Sequence, residues 1–256
     1  MKPLVFVRKN GYGKPSDYHG RRDKCPFCDY QETENIIETC DDIIWTRNKY
    51  PVLADTYQTL IIETPWHNEN IATYSKEHNR KMLKFAFECW QKIKNDPLFE
   101  SVIFYKNHGS MSGGTLMHAH AQIVGLKNVD AYEKLRPEHF CGIVVEKMGS
   151  IEVNFSTAPF CGTKETNIVL PKEKLLQEFD IFADLLQVIV QMEMEKVQSF
   201  NLFFYDFQEK IIVKFTPRYP TPPYYVGFGI PQVLDKESMK SEALNLQRKI
   251  RKLMLE

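Results

Sequence analysis

Apolar and β-branched runs broken by turn residues dominate the first half of the chain. They predict strands at Leu4–Val7, Asp42–Thr46, Thr59–Glu63, Val102–Tyr105 and His118–Val124. Between the third and fourth of these, Met82, Phe85, Ala86, Cys89, Trp90 and Ile93 recur at helical spacing, which predicts a helix over Lys76–Lys94. Asn95-Asp96-Pro97 supplies its stop. The second half repeats this plan, with strands expected near Gly142–Val145, Ile151–Phe155, Asn167–Leu170, Leu202–Tyr205 and Ile211–Phe215. A long helix over Lys174–Ser199 carries a broad apolar face of Leu175, Phe179, Phe182, Leu185, Leu186, Val188 and Ile189. A last, highly charged helix over Lys236–Leu255 is expected on the surface. Arg218–Pro223 is too rich in proline for a central strand and reads as an ordered loop, a candidate wall of a site.

In each half a turn segment leads to a strand, a long helix and two more strands. The repetition predicts an α+β fold with antiparallel sheet and long helices, built from two similar halves, residues 1–140 and 141–256. The 256 residues, 43% hydrophobic and 26% charged, suffice for a proper core without disulfides. Lys plus Arg and Asp plus Glu both number 33, so no strong field exists to attract nucleic acid or an anionic membrane. No signal peptide is read in Met1–Asn10 and no run reaches the length of a membrane span, so a cytoplasmic, reduced protein is expected. Its six cysteines then read as thiols or metal ligands.

Three segments carry candidate chemistry. Cys25-Pro26-Phe27-Cys28 places two thiols in a tight turn, as a soft metal or a redox pair requires; no helical pattern follows, which favours metal. Such a pair is half of a tetrahedral zinc site, so two further ligands must come from elsewhere. In His118-Ala119-His120-Ala121-Gln122, strand alternation turns His118, His120 and Gln122 to one side and the alanines to the other. Three polar groups on one face of an apolar strand need a metal, a phosphate or a hydrogen-bond network to offset their burial. Immediately before it, Asn107-His108-Gly109-Ser110-Met111-Ser112-Gly113-Gly114-Thr115 lets the backbone approach a ligand and can present consecutive amides to an anion. His19, His78, His108 and His139 read as surface residues, and Phe203-Phe204-Tyr205 and Tyr224-Tyr225 as core.

Together these segments resemble the galactose-1-phosphate uridylyltransferase family of the histidine-triad superfamily, which also includes diadenosine tetraphosphate phosphorylases and ADP-sugar phosphorylases. The run Asn107–Gln122 matches the family pattern of Asn, Gly, small residues, Gly, a hydroxyl residue and H-x-H-x-Q; Cys25 and Cys28 match its zinc pair; Thr64-Pro65-Trp66-His67 is similar to the strand end that supplies a zinc histidine. Asn48-Lys49-Tyr50-Pro51 resembles its base-and-ribose segment. The resemblance implies two histidine-triad-like halves, the second degenerate. It implies a structural zinc held by Cys25, Cys28, His67 and His118, with His120 as a covalent nucleophile and Gln122 on the phosphoryl oxygens. Asn48, Lys49 and Tyr50 would face the nucleoside, and Asn107, Gly109, Gly113, Gly114 and Thr115 the phosphates.

The implied activity is transfer of a nucleoside monophosphate from a nucleotide sugar to a sugar phosphate or phosphate. Phosphorolysis or hydrolysis of dinucleoside polyphosphates or nucleotide sugars, and non-catalytic nucleotide binding by a zinc protein, are the alternatives. The resemblance also implies a homodimer. Three positions depart from the family. Val213-Lys214-Phe215 stands where a second H-x-H contributes to a further metal site, so no second metal is expected. In Tyr224–Gly229, similar to the sugar-binding segment, Gly229 replaces a hexose-contacting carboxylate, and Lys14-Pro15 stands for an Arg-Pro that contacts the nucleotide.

Overall fold

Ala119, Ala121 and Ile123 alternate with His120 and Gln122, and of these five only Gln122 is not buried. This strand organises the first half in the computed structural model, which describes residues 2–17, 25–28 and 33–254. His19 and Leu255, the end expected for the last helix, lie outside the described residues. The chain divides into two units, Met1–Asn70 with Lys81–Lys134, and Ile71–Arg80 with Leu135–Glu256.

In the first unit, strands β1 (Ile36–Cys40), β2 (Ile43–Arg47), β3 (Thr56–Ile62), β4 (Ser101–His108) and β5 (His120–Leu126) pair antiparallel in the order β1-β2-β3-β5-β4. Helix α1 (Lys76–Lys94) has the expected bounds. Its buried stripe of Met82, Phe85, Ala86, Cys89, Trp90 and Ile93 is the one read from the sequence. The Trp90 indole donates to the Val102 carbonyl at 3.3 Å and its ring packs 5.6 Å from Phe104, which seats α1 on β4. Burying the large side chains of this stripe stabilises the unit by roughly 1.5–3 kcal/mol each, and the Ala86 methyl by less.

The second unit has the same order: β6 (Gly142–Met148), β7 (Ile151–Ser156), β8 (Thr166–Pro171), β9 (Phe200–Phe207) and β10 (Lys210–Pro217) run as β6-β7-β8-β10-β9, all antiparallel. Helix α2 (Leu175–Met194) is apolar on most sides and stops before the expected Ser199. Gln187 at its centre donates to the Ile71 and Tyr74 carbonyls, at 3.0 and 2.7 Å, and Asn79 donates to the Ala183 carbonyl at 2.9 Å. These bonds are why Ile71–Arg80 belongs with this unit. Both units are therefore α+β, with antiparallel sheet and long helices.

Several expectations fail for physical reasons. Leu4–Val7 is not a strand: its side chains are mostly exposed, and it makes only the isolated bridge Phe6↔Leu53. The missed strand β1 is a short edge with a largely exposed pattern, so it lacks the alternation that sequence reading relies on. His118 falls just before β5. The charged last helix, α4 (Lys236–Met254), is not a free surface helix: Met239, Ala243, Leu246 and Ile250 form a buried stripe against α2 and β6. Gln247 donates to the Val145 carbonyl at 2.8 Å, and Arg251 pairs with Glu146. Arg218–Pro222 is a loop as expected and leads into a short helix, α3 (Pro223–Phe228). Tyr224 on α3 is exposed, not core. Phe204 is buried, while its neighbours Phe203 and Tyr205 are half-buried. His139 is buried, not at the surface: its Nδ1 accepts the Arg136 amide at 3.2 Å and its ring packs 4.2 Å from Phe160. His78 and His108 are half-buried. No helix among the described residues is long and apolar enough to cross a membrane.

Candidate active site

At the head of β5, Cys25, Cys28, His67 and His118 bring one ligand atom each to within 4.8 Å of one another. Cys28 Sγ lies 3.4 Å from His67 Nδ1 and 3.5 Å from His118 Nδ1, and Cys25 Sγ lies 3.7 Å from His118 Nδ1. A tetrahedral zinc bonded to sulfur at about 2.3 Å and to nitrogen at about 2.0–2.1 Å sets S···N edges of roughly 3.5 Å, so the four atoms fit such an ion. The ring of His118 is already aimed: its Nε2 donates to the Thr64 carbonyl at 2.7 Å, which leaves Nδ1 for a metal. Burial pushes the Cys25 thiol up to about 11 in the absence of a cation. A bound dication would hold it as thiolate instead. Four such side chains on one ion would leave no open position, the character of a structural centre.

His120, almost fully enclosed, is the next residue on that face. Its Nδ1 donates to the His118 carbonyl at 2.8 Å, so Nε2 is the nitrogen left for the cavity that His120 lines. Burial, helped by the Lys106 charge, pushes His120 down to about 4, against the pull of the His118 carbonyl. The ring is therefore neutral near pH 7 and its free lone pair is available. Phe27, between the two cysteines, packs edge-on against His120 and His118 at 5.3 and 5.9 Å, so the cysteine turn also forms a wall of the cavity. On the opposite face, Lys106 and Glu63 form a fully buried ion pair at 2.6 Å beneath Ala121.

Gln122 and Tyr105 stand opposite each other across β5 and β4, and the Tyr105 hydroxyl donates to Gln122 Oε1 at 3.0 Å. The cavity beside them is lined by Lys14, Phe27, Thr46, Arg47, Asn48, Lys49, Tyr50, Leu60, Gly113, Gly114, Thr115, His120 and Gln122, among others. Asn48 Oδ1 accepts the Tyr50 amide at 2.9 Å, which shapes the turn after β2, and Lys49 pairs with Glu34 at 3.2 Å. Gly113 adopts φ +86°, a left-handed conformation costly for other residues. Gly114 passes so close to β4 that a Cβ there would meet Asn107 Cβ at 3.1 Å. The loop is clamped by Asp17, whose amide donates to the Thr115 carbonyl at 2.8 Å and whose carboxylate accepts the Met117 amide at 2.7 Å.

The structure thus gathers eight of the expected residues on one cavity: Asn48, Lys49, Tyr50, Gly113, Gly114, Thr115, His120 and Gln122. Asn107 and Gly109 are not among its lining. Asn107 sits behind Gly114, and the Gly109 carbonyl accepts the Ser112 hydroxyl at 2.6 Å, so both shape the loop. Sequence reading missed Phe27 and Tyr105. The signal for Tyr105 was present, since pairing the strands on either side of the glycine loop sets it opposite Gln122.

Two family models cover the chain: a domain of unknown function, DUF4931, N-terminal domain, over residues 6–129, and its C-terminal domain over residues 132–249. The crystal structure of a DUF4931 family protein from Bacillus cereus is 39% identical, with a TM-score of 0.75 over 84% of this chain and 99% of that one. This chain belongs to the DUF4931 family. The DUF4931 protein also shares its fold with an ADP-glucose phosphorylase from Arabidopsis thaliana solved with ADP-glucose, at 15% identity and TM-score 0.66 over 96% of this chain and 98% of that one. A uridylyltransferase structure matches at 15% identity and TM-score 0.68, over 90% and 92% of the two chains. The resemblance to the galactose-1-phosphate uridylyltransferase family read from the sequence therefore holds at the level of the fold. No curated protein matches the DUF4931 chain in sequence.

Proposed function

We propose that this protein is a nucleotidyltransferase that carries a nucleoside monophosphate on His120. The observation that carries the reading is the His120 ring itself: neutral, enclosed, anchored through Nδ1 to the His118 carbonyl, and lining a cavity with Gln122 and the Gly113–Thr115 backbone. In the first step His120 Nε2 attacks the α-phosphorus and the bond to the leaving phosphate oxygen breaks, its electron pair going to the leaving group. In the second step an oxygen of the acceptor phosphate attacks the same phosphorus and the P–N bond returns its pair to Nε2. The proton stays on Nδ1 throughout, donated to the His118 carbonyl, and that carbonyl stabilises the positive charge of the adduct. Gln122 and loop amides meet the developing charge on the phosphoryl oxygens. Gln122, being an amide, accepts no proton from an attacking water, which favours transfer to phosphate over hydrolysis.

The four-ligand centre is read as a structural zinc, which when bound fixes the cysteine turn and His118. Chelation or Cys25→Ser is expected to lower both the zinc content and the unfolding temperature. Apo protein that melts at the same temperature as the loaded form contradicts this role.

Within this chemistry, Gly229, at the end of α3 where the family pattern expects a hexose-contacting carboxylate, favours inorganic phosphate as acceptor. A nucleotide-sugar phosphorylase is the reading that follows, as the name of the Arabidopsis relative describes for ADP-glucose. The experiment is incubation with α-labelled UDP-glucose, ADP-glucose and diadenosine tetraphosphate. Acid-labile, alkali-stable label on the wild type, absent from His120→Ala, is expected. Inorganic phosphate should then release the label as nucleoside diphosphate. A chiral α-phosphorothioate should react with overall retention; inversion would rule out the two displacements.

A further inference from the structure

Gln122 has two ends of equal size and opposite polarity, and its action on a phosphoryl group depends on which one faces the cavity. The oxygen end repels phosphoryl oxygens; the NH2 end donates to them. Nothing in the Gln122 side chain makes that choice. The choice is made across the sheet. Tyr105 pairs with Gln122 in the β4–β5 ladder, and its hydroxyl donates to Gln122 Oε1 at 3.0 Å. Among the described residues this is the Tyr105 hydroxyl's hydrogen bond, so its single proton goes to Gln122. Burial pushes the phenol up to about 12, which keeps that proton in place. The ring is held at its base by the cluster of Val124, Leu126 and Val129, so the hydroxyl is a fixed donor.

We infer that Tyr105 is a positioning residue that locks the Gln122 amide with its oxygen towards β4 and its NH2 towards the cavity. The inference rests on the reading of the cavity as a phosphoryl-transfer site. It extends that reading by assigning the polarity of the group opposite the nucleophile. A phenylalanine at 105 would fill the same space and leave both orientations of the amide open.

The test compares Tyr105→Phe, Gln122→Ala, Gln122→Glu and the double variant Tyr105→Phe/Gln122→Ala. For transfer from the preferred donor, Tyr105→Phe is expected to lower kcat about tenfold and change KM less than about twofold, with an unchanged melting temperature. In the Gln122→Ala background the same change should have no further effect, because the group it orients is gone. An equal loss in both backgrounds would mean that Tyr105 acts only on the fold, and would overturn the inference. Gln122→Glu keeps an acceptor for Tyr105 but no NH2, and should lose at least as much as Gln122→Ala; full activity would overturn the donor role. A second readout does not depend on turnover. The side-chain NH2 pair of Gln122 in 15N-labelled protein, identified by its loss in Gln122→Ala, should shift or broaden in Tyr105→Phe, and an unchanged pair would refute the lock. If the wild type shows neither transfer nor label, the transferase reading fails, while the amide signal still judges the lock by itself.

Discussion

The two units share a strand order and differ at a hairpin and at the polar residues beside it. In the first, β4 and β5 are separated by residues 109–119, a loop with Gly109, Gly113 and Gly114 that opens over His120. In the second, β9 and β10 meet through Gln208-Glu209 alone, both with positive φ, a two-residue turn that joins the corresponding strands directly. The polar residue of β10 is also differently placed. Lys214 is wholly buried, 2.7 Å from Glu165, donating to the His139 carbonyl at 2.8 Å, and flanked by the rings of Phe140 and Phe160. Burial lowers the Lys214 ammonium, opposed by Glu165. Its charge is answered inside the fold. In the first unit the buried pair Lys106–Glu63 lies on the other face of the sheet, and His120 and Gln122 of β5 line the cavity. On a common strand order, the open hairpin stands beside a cavity with polar walls, and the closed hairpin beside a polar group answered inside the fold.

The sharpest way to break that contrast is a pair of substitutions. His120→Ala should abolish nucleotidyl transfer, by at least about a thousandfold, while the denaturation midpoint stays close to wild type. Lys214→Ala should do the reverse. It leaves the buried Glu165 unpaired and should cost about 3–5 kcal/mol in urea unfolding, and fraction-normalised labelling of His120 should persist where the protein remains folded. A His120→Ala protein as unstable as Lys214→Ala would show that the two strands play the same role.

A smaller effect is expected in the loop. Gly113→Ala forces a side chain into a left-handed position at φ +86° and should cost roughly 1–2 kcal/mol, read as weaker nucleotide binding by calorimetry and a modest loss of stability. The smallest effect lies at the closed hairpin. Replacing Gln208-Glu209 with Asn-Gly, which suits two positive φ values, should stabilise the second unit by up to about 1 kcal/mol and leave labelling unchanged. Loss of labelling there would mean that the turn contributes to the reaction.

Much of this was legible in one dimension. Helix α1 has the expected bounds because its apolar spacing, and the Asn95-Asp96-Pro97 stop, act over neighbouring residues. Of the ten strands among the described residues, nine were placed at least in part, since an enclosed strand writes its burial as an apolar run. β1 escaped because an exposed edge leaves no such record, and α4 was misjudged because a narrow buried stripe is hidden by the charges around it. The polar face of His118, His120 and Gln122 also followed from the residues, though His118 lies just before the strand.

What the amino-acid order determined by itself was the set of local facts: period, turn chemistry, and the concentration of thiols, imidazoles and glycines in three short segments. The tertiary structure decided everything that depends on residues distant in the chain. It brought Cys28 within 3.4 Å of His67, placed Phe27 against His120, and set the Tyr105 hydroxyl on Gln122. It also enclosed Lys214 and His139, a choice their polarity argued against. Distance and burial are properties of packing, and packing is fixed by the summed contacts of strands and helices, which no local window contains.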